Sequence, residues 1–282
     1  MKTVISNATR ELVIGDGQPT VLIGELHPGG GTEKTSEAAS GGELDRLQKM
    51  AIDQVQAGAD AIDVHVGTPG IDEVEFLPRA IEALMKAVDV PFCFGSSNVQ
   101  ALEAALKAYR GKALINSVTG EEDSLSAILP LAKRYGAAVI GRVRESRDFP
   151  DTAGERLAIA RRIVERARAV GISPDNVIID CLTFSPAVEK HAGAVTLETV
   201  RRVNTELGVN TTIGDRHLTY GLPETDFLNN TFVAVAIGAG VSCFLLDVTR
   251  VRASVLAADL MAGRDPRALR YLKAYRQMGK SK

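Results

Sequence analysis

Ala137-Ala-Val-Ile-Gly-Arg142, then Thr152-Ala-Gly-Glu155 at the head of a helical run, then Asn176-Val-Ile-Ile-Asp180: residues 137–180 spell one complete β-α-β unit. Both flanking runs are short, apolar and rich in β-branched residues, and each stops at a charge. Continuous apolar runs of that length belong to strands buried on both faces, which is the habit of parallel sheets. The segment between them opens with Thr152 three residues before Glu155, the spacing of a capping box in which each side chain satisfies a free backbone N–H of the first turn. Parallel strands need such a crossover, because a tight turn can join only antiparallel ones.

Outward from this unit the same alternation fills the chain. Strands are expected at Val21 to Glu25, Ala61 to Val66, Pro91 to Gly95 and Ala113 to Ser117 before it, and at Thr211 to Gly214 and Val241 to Asp247 after it. Leu44, Leu47, Ala51 and Val55 share one helical face, and further capping boxes are read at Ser97/Gln100 and Thr119/Glu122. Ahead of the first unit, Glu11 to Pro19 reads as two extended pieces around a Gly-rich turn, a hairpin. With the two strands of the opening unit the count is eight, which predicts an α/β fold of the (β/α)8 TIM-barrel type. The short N-terminal hairpin is expected to close its bottom, and residues 1–282 to form one domain.

Composition narrows the class of partner. A formal net charge of -2, with 33 basic and 35 acidic residues, gives no general attraction to nucleic acid or to an anionic membrane. No apolar run approaches the roughly 20 residues that span a bilayer, and Met1 to Arg10 lacks the apolar core of a secretory signal. A cytoplasmic location is expected. The three cysteines, Cys93, Cys181 and Cys243, are odd in number and widely spaced, an ordinary pattern for a reducing compartment.

A closed barrel places chemistry on the loops after its strands. The strand ends carry Glu25 and His27; Asp63 and His65; Gly95, Ser96 and Asn98; Asn116; Arg142 and Arg144; Asp180; Asp215, Arg216 and His217; and Asp247. Polar groups crowded after apolar strands are costly unless they meet each other or a ligand, so a polar pocket is expected. Asp180 and Asn116 end strands roughly opposite each other. A carboxylate accepts two parallel N–H bonds and an amide both donates and accepts, which suits a flat heterocycle with an amidine-like edge, such as a pterin. Asp63 and His65, two residues apart, share one strand face, and Asp63 is either a brace between loops or a ligand contact. For His217 a general acid, a metal ligand and a hydrogen-bonding loop residue all stand open. No metal site is expected: Cys93 and Cys243 alternate with apolar neighbours as core residues do. The His27-Pro-Gly-Gly-Gly31 loop reads as a flexible lid, since it lacks the helix start that a phosphate loop needs.

Several blocks taken together resemble the pterin-binding barrels: Ile23-Gly-Glu25, Gly58-Ala-Asp-Ala-Ile-Asp63, Asn116-Ser-Val-Thr-Gly-Glu-Glu122, Ile178-Ile-Asp180, Tyr220-Gly-Leu-Pro223 and Leu228-Asn-Asn-Thr-Phe232. Within that family the chain is similar to the methyltetrahydrofolate:corrinoid methyltransferases, relatives of dihydropteroate synthase and of the folate module of cobalamin-dependent methionine synthase. The resemblance implies an enzyme of one-carbon metabolism that moves a methyl group between N5 of a reduced pterin of the tetrahydrofolate type and the cobalt of a corrinoid (cobalamin) carried by a partner protein. It also implies a homodimer with no metal of its own. Asn116 and Asp180 match the residues that hold the pterin ring. Glu25, Asp63, His65, Gly95, Ser96 and Arg216 are expected to complete the substrate site, with His217 as the catalytic group.

Three positions depart from the family pattern. Gly95-Ser96 stands where an Asp-Ser pair is usual, Asp63-Val-His65 where the pattern is Asp-x-Asn, and Gly214-Asp-Arg-His217 where it is Gly-x-Ser-Asn. Loss of a charge-assisted bond at position 95 is worth roughly 1.5 to 3 kcal/mol of affinity. The alternatives are a dihydropteroate-synthase-like transferase and a pterin-binding paralogue without catalysis. The first lacks support because no lysine marks the seventh strand region and Arg250-Val-Arg252 replaces an Arg-x-His pattern.

Overall fold

A computed structural model describes residues 1–15, 17–26, 41–67, 71–145, 150–214 and 218–279. Two short strands, β1 (Lys2–Ser6) and β2 (Glu11–Gly15), come first. The barrel follows as β3 (Val21–Leu26), α1 (Gly41–Ala57), β4 (Ala61–His65), α2 (Glu73–Ala87), β5 (Phe92–Gly95), α3 (Val99–Ala108), β6 (Leu114–Thr119) and α4 (Glu122–Tyr135). Its second half is β7 (Ala138–Arg142), α5 (Ala153–Ala169), β8 (Val177–Asp180), α6 (Ala192–Arg202), β9 (Asn210–Gly214), α7 (Thr225–Ala239), β10 (Cys243–Leu246) and α8 (Val248–Met261), with α9 (Leu269–Gly279) appended. Strands β3 to β10 pair in parallel in sequence order, and β10 returns to β3, so the barrel closes. Among the described residues no helix is long and apolar enough to cross a membrane.

Because side chains alternate across a strand, every second residue enters the barrel. Val21, Ile23, Ala61, Cys93, Leu114, Ala138, Ile140, Ile178, Cys243 and Leu245 form one buried apolar cluster at the strand starts. The other face of each strand feeds a larger cluster shared with the helices, where Leu47 and Ala51 of α1 are fully buried. The hairpin seals the bottom by adding Ile5 and Ile14 to the inner cluster. The hairpin is tied to the barrel by Asn210, whose amide donates to the Thr3 hydroxyl at 2.9 Å and the Ile14 carbonyl at 3.0 Å.

Details of the sequence reading are corrected here. Asn116 on β6 and Asp180 on β8 have only β7 between them, so they flank one arc of the mouth, and it is Asp63 on β4 that stands opposite Asp180. The hairpin pairs β1 with β2 in register from Lys2↔Gly15 to Ser6↔Glu11, so Glu11 to Gly15 is its second strand and the Gly-rich turn leads into the barrel. Asn98, not Ser97, caps α3, its side chain accepting from the N–H groups of Gln100 and Ala101. Helix α4 begins after Glu121 without a side-chain cap, because Thr119 is still part of β6. The box of Thr152 and Glu155 forms as expected, with both reciprocal bonds. Asp247 leaves its strand to cap α8 and also accepts from the Gln54 amide at 2.8 Å.

Candidate functional site

Moving up the barrel, the inward positions change from apolar to polar within one or two residues. Glu25 follows Ile23, Asp63 and His65 follow Ala61, Asn116 follows Leu114, Arg142 follows Ile140 and Asp180 follows Ile178. Register places Glu25 beside Asp63, His65 beside Gly95, Gly95 beside Asn116 and Arg142 beside Asp180. These side chains, with Ser96 and Gly214, surround a cavity of about 720 Å³ at the C-terminal mouth. That is large enough for a small heterocyclic ligand, for which sites of roughly 300 to 1,000 Å³ are usual.

On one side Asp63 is almost fully buried and its two oxygens accept from the Asn116 amide at 3.3 and 3.4 Å. Burial, and then the negative charge of Glu25, push its carboxyl above the usual carboxylate range, against hydrogen bonds from Cys93 and Asn116. Across the mouth, Asp180 accepts from Arg142 Nε at 3.2 Å and from the backbone N–H of Leu182 at 3.0 Å. The two carboxylates thus differ in kind: one sits low in the barrel against an amide and a thiol, the other is held by a guanidinium at the rim.

His65 lies over its register partner, its Nδ1 2.7 Å from the Gly95 carbonyl oxygen. Gly95 itself is not among the residues lining the cavity; the imidazole stands in front of it. Ser96 lines the cavity, yet its hydroxyl donates to Glu73 at 2.5 Å and accepts from the Asn98 N–H at 3.0 Å, so it braces the start of α3. The thiols of Cys93, Cys181 and Cys243 are free and buried, and burial pushes each up, that of Cys243 to about 12. They are neutral core groups, as the alternation around Cys93 and Cys243 suggested. Among the described residues no three His, Cys, Asp or Glu side chains are arranged to hold a metal ion.

His217 and Arg216, together with Asp215 and the 27–31 loop, lie outside the described residues. Their neighbour Gly214 lines the cavity. Sequence reasoning passed over the segment after Asp180. Leu182, Thr183 and Phe184 all line the cavity, held from behind by Arg156 of α5. That guanidinium is 1% exposed and donates to the carbonyls of Pro150, Cys181 and Leu182 at 3.0, 3.0 and 3.2 Å and to the Thr196 hydroxyl at 3.2 Å. The signal was available only as position: whatever follows a barrel strand reaches the mouth.

With this geometry in hand, residues 31–247 match the family model described as pterin binding enzyme. The chain belongs to the pterin binding enzymes. Among its pterin-binding relatives is the methylcorrinoid:tetrahydrofolate methyltransferase of Eubacterium limosum, 26% identical over 238 residues, or 82% of this chain and 87% of that one. The methionine synthase of Mycobacterium leprae is 25% identical over 248 residues, which are 83% of this chain but only 21% of that longer protein. The fold is shared with 7,8-dihydropteroate synthase from Vibrio fischeri at a TM-score of 0.70 and 19% identity, over 94% of this chain and 99% of that one. Dihydropteroate synthase from Yersinia pestis superposes similarly, with a TM-score of 0.69 at 15% identity over 93% and 99% of the two chains.

Proposed function

We propose that this pterin binding enzyme is a methyltransferase that moves a methyl group between N5 of a reduced pterin and the cobalt of a corrinoid held by a partner protein. The observation that carries the reading is that Asp180 and Asn116, on strands separated only by β7, both line one polar cavity at the C-terminal end of the barrel. The relative from Eubacterium limosum, alike over most of both chains, supports the same chemistry. In this reading Asp180 accepts the paired N–H edge of the pterin, while Asn116, steadied by Asp63, meets the adjoining ring atoms. Glu25 and His65 close the β3–β4 side, and to Arg216, two residues after Gly214 in sequence, we assign a further substrate contact.

The transfer is balanced at two atoms. When methyl leaves N5, the carbon–nitrogen electron pair returns to N5 and a proton must arrive; the pair that forms the new carbon–cobalt bond comes from the reduced metal. In the opposite direction N5 attacks the methyl group and gives up its proton. Both directions need one group that holds a proton beside N5, and we assign that role to His217, which follows Gly214 by three residues. Free methylcobalamin as methyl donor and tetrahydrofolate as acceptor test the reaction: methyltetrahydrofolate should form at the rate at which the methylcobalamin absorption is lost. A ligand at a hundred times its dissociation constant stabilises by about 2.7 kcal/mol, so thermal shifts with tetrahydrofolate, methyltetrahydrofolate, tetrahydromethanopterin and pteroate give a second readout. No shift with any reduced pterin would remove the reading.

The functional unit we propose is a cytoplasmic homodimer of one barrel domain per chain. The buried free thiols suit a reducing compartment. The outward face of α7 carries Phe227, Thr231, Ala234, Val235 and Gly238, all exposed and none charged. Such a face meets its own copy without charge repulsion, as a two-fold interface requires. Val235→Glu is expected to shift sedimentation velocity from dimer to monomer; an unchanged profile would place the interface elsewhere.

A further inference from the structure

Two of the departures from the family pattern, His65 and Gly95, are one feature in three dimensions. They are register partners on β4 and β5, and the ring of His65 fills the space that a side chain at 95 would take. A Cβ added at Gly95 would lie 2.9 Å from His65 Nδ1 and 3.1 Å from its Cβ, and the second contact is with an atom fixed to the backbone, so turning the ring relieves only the first. A second glycine stands at the other side of the ring, for a Cβ on Gly67 would lie 3.3 Å from His65 Nε2. The imidazole is bracketed by two residues that have no side chain.

The bond to Gly95 sets the chemistry of the ring. A carbonyl oxygen only accepts, so at 2.7 Å Nδ1 must carry the hydrogen. In the neutral imidazole Nε2 then has a lone pair and no proton. An aspartate at 95, the usual residue of the family, would add a carboxylate to a mouth that already holds Glu25, Asp63 and Asp180. A neutral acceptor does the hydrogen-bonding part of that work without a further negative charge.

We propose that His65 is the specificity-determining residue of the cavity: as the Nδ1–H tautomer fixed on the Gly95 carbonyl, it offers Nε2 to an N–H donor on the ring of the bound pterin, in place of an aspartate. The proposal rests on the pterin reading of the cavity. It makes Gly95 a necessity and not a lost contact, since any side chain there must displace the ring from its place on the carbonyl. The rival form is an imidazolium, in which Nε2 donates instead of accepting, with Glu73 as a carboxylate for it to meet. Glu73 Oε1 lies 3.1 Å from the same Gly67 Cβ position, with Glu73 Oε2 taken by Ser96.

The test combines a spectrum with a cycle of variants. Protein labelled with ¹⁵N-histidine, with His65 assigned by its loss in His65→Gln, should show a protonated Nδ1 and a bare Nε2 at neutral pH, and the Nε2 resonance should move when tetrahydrofolate is added. By calorimetry His65→Phe, which keeps a ring but no nitrogen, should bind tetrahydrofolate at least ~10-fold more weakly, and His65→Gln, which restores an acceptor, should recover part of the loss. Gly95→Ala should weaken binding ~10-fold when His65 is present and less than ~2-fold when residue 65 is changed by His65→Ala, the non-additivity expected of groups in contact. A doubly protonated ring, or a bare Nδ1, overturns the proposal while tetrahydrofolate binding by the wild type still stands. Additive losses in the cycle also overturn it. If the wild type binds no reduced pterin, the pterin reading falls and this one with it, and the absent heat of binding marks that case apart from the others.

Discussion

At the scale of single residues, the two buried carboxylates are expected to answer differently to the same change. Asp180→Asn removes the charge that Arg142 and the Leu182 N–H hold in place at the rim, and with it the charge-assisted bonds offered to the pterin edge. Asp63→Asn leaves an oxygen to accept from Asn116. Calorimetry with tetrahydrofolate should therefore show a loss of roughly 1.5 to 3 kcal/mol for Asp180→Asn and a smaller one for Asp63→Asn. Equal losses would take the ligand contact away from Asp180. Asp63 also makes a prediction about folding. Its carboxyl is raised by burial first and by Glu25 second, so the folded protein keeps this proton to a higher pH than the unfolded chain does. The contribution to stability is complete below the unfolded aspartate value of about 3.9 and is lost as pH rises through the folded one. Urea unfolding should show Asp63→Asn gaining on the wild type as pH rises above about 4; a difference that stays flat would mean that the carboxyl is not raised.

At the scale of elements, the loop after β8 is held by a cation buried behind it. Arg156 leaves the first turn of α5, whose start is fixed by the Thr152–Glu155 box, and spends its donors on the carbonyls of Pro150, Cys181 and Leu182. The Phe184 ring lies 5.5 Å from its guanidinium carbon. Burial holds the Arg156 guanidinium below its usual range, partly offset by Asp180 and other negative groups, and the carbonyls take the place of a carboxylate as its nearest partners. Arg156→Met should cost about 3 kcal/mol in urea unfolding, because it strands buried acceptors each worth ~1–3 kcal/mol. It should also weaken tetrahydrofolate binding, since Leu182, Thr183 and Phe184 form one wall of the cavity. Full stability in the variant would mean that the loop finds other donors.

At the scale of the whole molecule, the hairpin is a stopper for the barrel. Ile14 is fully buried in the inner cluster, although it precedes the first barrel strand. Ile14→Ala should lower stability by about 2 to 5 kcal/mol, the range for truncating a buried aliphatic side chain. Because the stopper is at the strand starts and the cavity at the strand ends, tetrahydrofolate affinity of the folded variant should be unchanged. A cost near zero would show the hairpin to be loosely attached; a large change in affinity would show that the two ends of the barrel are coupled.

The division between what sequence decides and what only folding decides follows from range. Eight apolar runs with helical spans between them were legible because alternation, capping and strand composition are local, and the inward switch from Ile178 to Asp180 or from Leu114 to Asn116 is written in adjacent residues. Strand ends blurred by a residue or two, as at Pro91 and Asn176, because the last hydrogen bond of a ladder depends on its neighbour. The hairpin was misplaced because Lys2 to Ser6 is recognisable as a strand only through its pairing with Glu11 to Gly15. Ser97 looked like a cap and Asn98 acts as one, since the helix starts one residue later than the spacing of Ser97 and Gln100 implies. Asp63, Asn116 and Asp180 could be placed at the mouth from sequence, but not that Arg142 holds one of them, that Asn116 bonds another, or that Arg156 steadies the wall beside them. Least of all could the chain as a string join His65 to Gly95: thirty residues separate them, and only parallel pairing in register lays the imidazole into the space that the missing side chain leaves.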